Sequence, residues 1–89
     1  MAEPIDNYLI TSHAAFEMRR RGIEEGVVRQ VLAAPEQRHA VRLGRDVLQS
    51  RIALAGKTYL LCVFVDIDRD SAEVVTVYRT SRIAKYWSA

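Results

Sequence analysis

Pro35 splits this chain into two hydrophobic periods, and that split constrains the fold more than any other feature. Before it, Ile23, Val27 and Val31 fall at i, i+4 and i+8, with Val28 and Leu32 widening the stripe, which is helical spacing. A proline has no N–H for the helical ladder and its ring clashes with the preceding turn, so the helix ends there. After it the period drops to two. His39, Val41 and Leu43 alternate with Arg38, Ala40 and Arg42. Next, Leu48, Ser50, Ile52 and Leu54 alternate with Val47, Gln49, Arg51 and Ala53. Residues 58–66 are apolar at nearly every position, which suits a central strand covered on both faces. Residues 73–80 are predicted as a last strand, with Val75 and Val77 on one face and Val74, Thr76 and Tyr78 on the other. Gly44, Ala55-Gly56-Lys57 and the polar loop 66–71 separate these runs, and short turns imply antiparallel hairpins. Helices precede strands instead of alternating with them. The predicted class is α+β: two N-terminal helices packed on a four-stranded, mostly antiparallel sheet, with a short C-terminal helical tail. At 89 residues the chain makes one domain with a modest core.

The first helix is predicted to start at Thr11 or Ser12, whose hydroxyls can accept orphan backbone N–H groups. At 100° per residue Ala14, Ala15 and Met18 share one side, while His13, Glu17, Arg20 and Arg21 gather on the opposite side. Gly22 suits the left-handed residue that ends a helix. The second helix is predicted over residues 23–34, with Glu24 and Glu25 in its first turn, where the helix dipole favours negative charge. At the other end, Ser81 can cap a last helical turn holding Ile83, Ala84, Tyr86 and Trp87. Arg79, Arg82 and Lys85 make this end basic, with no acid after Glu73. Trp87 reads as a docking anchor, with a base-stacking platform as the alternative.

Several chemistries fall away. Cys62 is the only cysteine, so there is no internal disulfide and no cysteine metal cluster. It sits in an apolar run, as a small core residue does. His39 has no companion ligands at useful spacing. Asp66, Asp68 and Asp70 have the spacing of a calcium loop, but Ser71 and Val77 stand where the glycine and the bidentate glutamate belong. No glycine-rich phosphate loop and no Gly-x-Ser-x-Gly elbow is present. No metal and no cofactor are therefore expected. The longest unbroken apolar run, residues 60–65, is far short of a membrane span, and residues 1–10 lack the basic start of a signal peptide. A cytoplasmic protein is expected.

The formal net charge of +2 permits contact with nucleic acid without demanding it. His13 stands out as a candidate general acid or base, with helix capping as the structural alternative. Arg20 and Arg21 share its side of the helix. One histidine, several arginines and Tyr78 match metal-independent RNA cleavage, in which the 2′-OH attacks the adjacent phosphate. That reaction needs a base, an acid and cations around the phosphorane.

Two stretches carry a family resemblance. The first is Ile10-Thr-Ser-His13-Ala14, then Met18, Arg21-Gly22-Ile23, Val28, Val31-Leu32 and Pro35. The second is Val75-Thr-Val-Tyr78-Arg79-Thr80-Ser81, with Ile83 and Lys85-Tyr86-Trp87. Together they resemble an uncharacterised bacterial domain-of-unknown-function family of short, stand-alone proteins. That family is distantly similar to the BrnT and RelE toxin group, within the barnase–EndoU–colicin–RelE ribonuclease fold. The resemblance implies a toxin-like ribonuclease, or an RNA-binding relative, made with a small antitoxin protein. It points to His13, Arg21, Tyr78, Arg79 and Lys85 as catalytic candidates, and Arg20, Arg51 and Arg82 join them as candidate nucleic-acid contacts. The chain departs from the pattern at Glu17, where many members of that family have an arginine. Glu17 either weakens phosphate binding or pairs with His13 one turn away. A regular strand sends Tyr78 and Arg79 to opposite faces, so they can share a site only at the sheet's end. The rival expectation is a non-catalytic module that binds a protein partner. An exposed edge strand also leaves a homodimer open.

Overall fold

The computed structural model describes residues 2–87. Its elements run β1 (Tyr8–Ile10), α1 (Ser12–Arg20), α2 (Glu25–Ala33), β2 (Gln37–Arg42), β3 (Arg45–Leu54), β4 (Lys57–Asp66), β5 (Ala72–Thr80) and α3 (Ile83–Tyr86). The strands make one sheet in the order β1-β5-β4-β3-β2. β2 to β5 form an antiparallel meander, and β1 joins β5 in parallel. The chain is α+β as its periods predict, but the sheet is mixed and has five strands rather than four. β1 escapes a sequence reading because three residues cannot display an alternation; its pairing with Ala72–Val74 defines it.

α1 and α2 cover one face of the sheet. Ala14 and Met18 of α1, with Val28, Val31 and Leu32 of α2, pack on Leu48, Leu61, Val63, Val65, Val74 and Val77. Fully burying one such aliphatic side chain stabilises by ~1.5–3 kcal/mol, so this layer supplies most of the driving force for folding. The pairing of Val74 and Val77 corrects the alternation predicted for β5. The register shifts between Phe64 and Val65, so Val75 is an extra residue in the strand. That bulge brings Val74 and Val77, three apart, onto the same face.

The second helix also starts later than predicted, at Glu25. Ile23 is already spent on ending α1. Its N–H donates to the Met18 carbonyl at 2.8 Å, and the Gly22 N–H to that of Arg19 at 3.3 Å. This pair of bonds is a Schellman motif, and Gly22 has the positive φ of 66° that it needs. Met18 and Ile23 are both buried beneath it.

The other face carries a smaller apolar layer. Val47, Leu60 and Cys62 are buried there, with Phe64, Tyr78, Ile83 and Trp87 packed against them. α3 lies on this side and makes the predicted tail a cover for the sheet. β4, in the middle of the order, is thus covered on both faces, as its apolar run implied.

Candidate nucleic-acid interface

The shortness of β1 creates the site. It pairs only with the first three residues of β5, so among the described residues the rest of the β5 edge has no neighbouring strand. Thr11 then turns the chain directly into a helix. Its N–H and its hydroxyl both donate to the Val74 carbonyl, at 3.1 and 2.9 Å, and its Oγ1 accepts the Ala14 N–H at 3.1 Å. α1 therefore begins tied to β5, and it packs chiefly on that strand. Its C-terminus comes to rest beside Tyr78. The Schellman motif fixes Arg21 there as the C-cap residue.

Around Tyr78 the side chains alternate between cationic and aromatic. The Arg21 guanidinium lies 5.9 Å from the Tyr78 ring centroid. Tyr78 stacks on Phe64 with centroids 5.8 Å apart, and Tyr86 of α3 meets it edge-on at 6.5 Å. The Lys85 ammonium lies 5.4 Å from the Tyr86 ring. Burial, together with the neighbouring Cys62 and Tyr86, pushes the Tyr78 phenol up to about 12, with Arg21 opposing. Tyr78 is therefore a hydrogen-bond donor at neutral pH and not a base. Burial likewise pushes the Cys62 thiol up, which keeps it an inert core residue.

Glu17 lies under the two arginines and is buried at 8 % exposure. Arg20 Nη2 donates to its Oε1 at 2.7 Å and Arg21 Nε to the same oxygen at 3.1 Å, with Arg21 Nη2 only 2.9 Å away. The Arg20 hydrogen bond, helped by the charges of Arg20 and Arg21, holds this carboxyl below its usual range. The carboxylate thus goes to the arginines and not to the imidazole. His13 is exposed on the same ridge of α1, one turn before Glu17.

The structure gathers part of the predicted set. Arg21, Tyr78 and Lys85 surround one aromatic cluster, Arg20 borders it through Glu17, and His13 stands on the same helix ridge. Arg79 does not join them. It lies opposite Leu61 in the register and points to the helix-covered side, 4.7 Å from the Tyr59 ring. The difficulty of placing Tyr78 and Arg79 together is real, because β5 stays regular between them. Arg51 is committed elsewhere: it is paired with Glu36 and lies 4.4 Å from the Trp87 ring, so it anchors the tail. Arg82 is exposed, and its backbone N–H donates to Thr80 Oγ1. Phe64 and Tyr86 were not singled out from the sequence. Their signal was available in the parity of Phe64 with Cys62, and in the Tyr86-Trp87 pair of the tail.

The acidic loop has a different role. Arg45 grips Asp66 through both carboxylate oxygens, and Arg69 pairs with Asp68 and Glu73. Asp66 thus ties the start of β3 to the end of β4. Among the described residues no group of three or more His, Cys, Asp or Glu is placed to hold a metal ion. Among them too, no helix is long and apolar enough to cross a membrane. A surface depression of about 590 Å³ lies away from Tyr78, between β1 and α2. It holds Arg29, but that cation is paired with Glu25.

The family model described as Domain of unknown function (DUF4258) matches residues 10–79, from the end of β1 to the end of β5, and the chain belongs to that family. No curated protein and no solved structure matches the chain.

Proposed function

We propose, from that membership and from the cluster around Tyr78, that the chain binds single-stranded RNA as a toxin-like, metal-independent endoribonuclease. The observation that carries this reading is the interleaving of Arg21, Tyr78, Tyr86 and Lys85 on one surface. Aromatic faces take bases, and cations take the phosphates between them. Arg20 and Arg21 hold the phosphate, Lys85 adds field, and the protonated Tyr78 donates to a phosphate oxygen or stacks. His13 takes the proton of the attacking 2′-OH. The 2′-oxygen bonds to phosphorus, the bond from phosphorus to the 5′-oxygen breaks, the 5′-oxygen takes a proton from water, and a 2′,3′-cyclic phosphate remains. The likeness to the RelE and barnase ribonuclease fold, a small antitoxin partner and a cytoplasmic location belong to this same proposal.

Cleavage of a mixed RNA pool in EDTA, beside a His13→Ala control, tests it. Cleavage by the wild type and not by the folded variant is expected. Binding of a labelled single strand should weaken steeply with salt, because bound counterions are released. No cleavage and no binding by folded protein would refute the reading. The second reading is a non-catalytic protein-binding module. It draws on the far end of the sheet, where Val41, Leu43 and Ile67 are exposed beside the open edge of β2. Such a module would leave RNA intact and would bind its partner, or a second copy, when Tyr78 is replaced.

A further inference from the structure

Arg21, beside Tyr78, and its neighbour Arg20 are not free. Arg21 presents its Nε and Nη2 edge, the edge that grips an oxyanion in a fork, to a single oxygen of Glu17. Arg20 brings Nη2 to that same oxygen. A phosphate arriving at this place meets a carboxylate already seated in it, and the local charge of the three side chains is +1 instead of +2. Glu17 is ionised at neutral pH, because its arginine partners hold its carboxyl low. It is also one of the few charged side chains that are buried. Glu25, in contrast, pairs with Arg29 at an exposed position on α2.

We propose that Glu17 is a built-in competitor for the oxyanion that the Arg20–Arg21 cradle takes, so that a ligand phosphate binds by displacing its carboxylate. This rests on the reading of the cluster as a phosphate-binding surface and adds a gate to it. The gate lowers affinity for isolated anions. It reserves the cradle for ligands whose other contacts, on Tyr78, Tyr86 and Lys85, offset the displacement. A single-stranded RNA has such contacts and inorganic phosphate has none.

The test compares the full chain with Glu17→Gln, Glu17→Asp and Glu25→Gln. Each is titrated with inorganic phosphate, following the Arg side-chain N–H signals by NMR, and with a labelled single-stranded RNA. Glu17→Gln should bind phosphate about threefold to tenfold tighter than wild type, the range expected for removing one ionic competitor at a partly exposed site. Its gain for RNA should be similar, because either ligand displaces the same carboxylate. Glu17→Asp, whose shorter side chain withdraws from the Arg21 edge, should fall between and serves if the glutamine variant does not fold. Glu25→Gln removes the same charge elsewhere and should leave both affinities unchanged. Equal or weaker phosphate binding by folded Glu17→Gln or Glu17→Asp overturns the proposal and makes Glu17 a positioning residue. If those variants bind phosphate tighter but no form binds RNA, the gate stands and the RNA reading falls. If wild type binds RNA and no Glu17 variant gains affinity, the RNA reading stands and the gate falls.

Discussion

Removing the Tyr78 ring should destabilise the protein while removing only its hydroxyl should not. Truncating a fully buried Phe or Trp to Ala costs ~3–5 kcal/mol; half-burial brings the packing part for Tyr78 to roughly 2 kcal/mol. The stacked contact with Phe64 and the edge contact with Tyr86 each add ~0.5–1.5 kcal/mol beyond area. These parts share atoms and do not add fully, so Tyr78→Ala should cost about 2–3 kcal/mol. Tyr78→Phe keeps every ring contact and loses only the hydroxyl's weak interaction with the Cys62 thiol, which is worth about 1 kcal/mol or less.

Urea unfolding followed by far-UV circular dichroism reads this directly. With a slope near ~1 kcal/mol per M for so small a domain, Tyr78→Ala should lower the midpoint by about 2–3 M, and Tyr78→Phe by under about 1 M. A Tyr78→Ala midpoint within about 0.5 M of wild type would refute the reasoning. The aromatic cluster would then be a loose surface feature and not the packed seat described for Arg21. The pair also separates stability from chemistry. RNA binding that survives Tyr78→Phe but is lost in a folded Tyr78→Ala protein assigns the ring to stacking. Loss of cleavage alone in Tyr78→Phe assigns the hydroxyl to the phosphate.

Three further outcomes follow from the same contacts. Tyr78 should ionise near pH 12 in an ultraviolet titration, an absorbance step that Tyr78→Phe removes. Since the unfolded chain releases that proton near pH 10, stability should decline as pH rises from about 10 to 12, and Tyr78→Phe should flatten that decline. Glu17, Glu36 and Asp66 are all held low, first by hydrogen bonds from Arg20, Arg51 and Arg45 respectively. Their contribution is present above the ordinary carboxylate range near pH 4 and is lost as pH falls through their folded values. The urea midpoint should hold from pH 5 to 8 and drop below about 4, and a smaller drop is expected in Asp66→Asn. Arg51→Ala should release the tail: emission from Trp87, the one tryptophan, should shift to the red with the sheet signal unchanged. Unshifted emission would show that Trp87 does not need the Arg51 clamp.

What the sequence could and could not show follows from where each feature is encoded. The change of period at Pro35 is carried by many residues, so fold class and the central place of β4 were legible from it. Gly22 was legible as a helix end because a positive φ has few other occupants. β1 and the β5 bulge were not, for a common reason. Each is decided by a partner strand: β1 by its pairing with Ala72–Val74, the bulge by a slip opposite Phe64 and Val65. The site divides the same way. Strand parity alone warned that Tyr78 and Arg79 diverge, and they do. No local pattern, however, could bring Arg21 to Tyr78, since they are far apart in sequence.

That meeting depends on β1 being short. Were β1 to continue alongside β5, a backbone ladder would fill the edge now lined by α1, and Glu17 and Arg21 would have no strand edge to approach. Thr11 enforces the stop with one side chain. Its hydroxyl donates to Val74 of β5 and accepts from Ala14 of α1, closing the strand and opening the helix at a single residue. The three-residue strand, which looks like the least of the elements, is thus the one that lets Arg21 reach Tyr78.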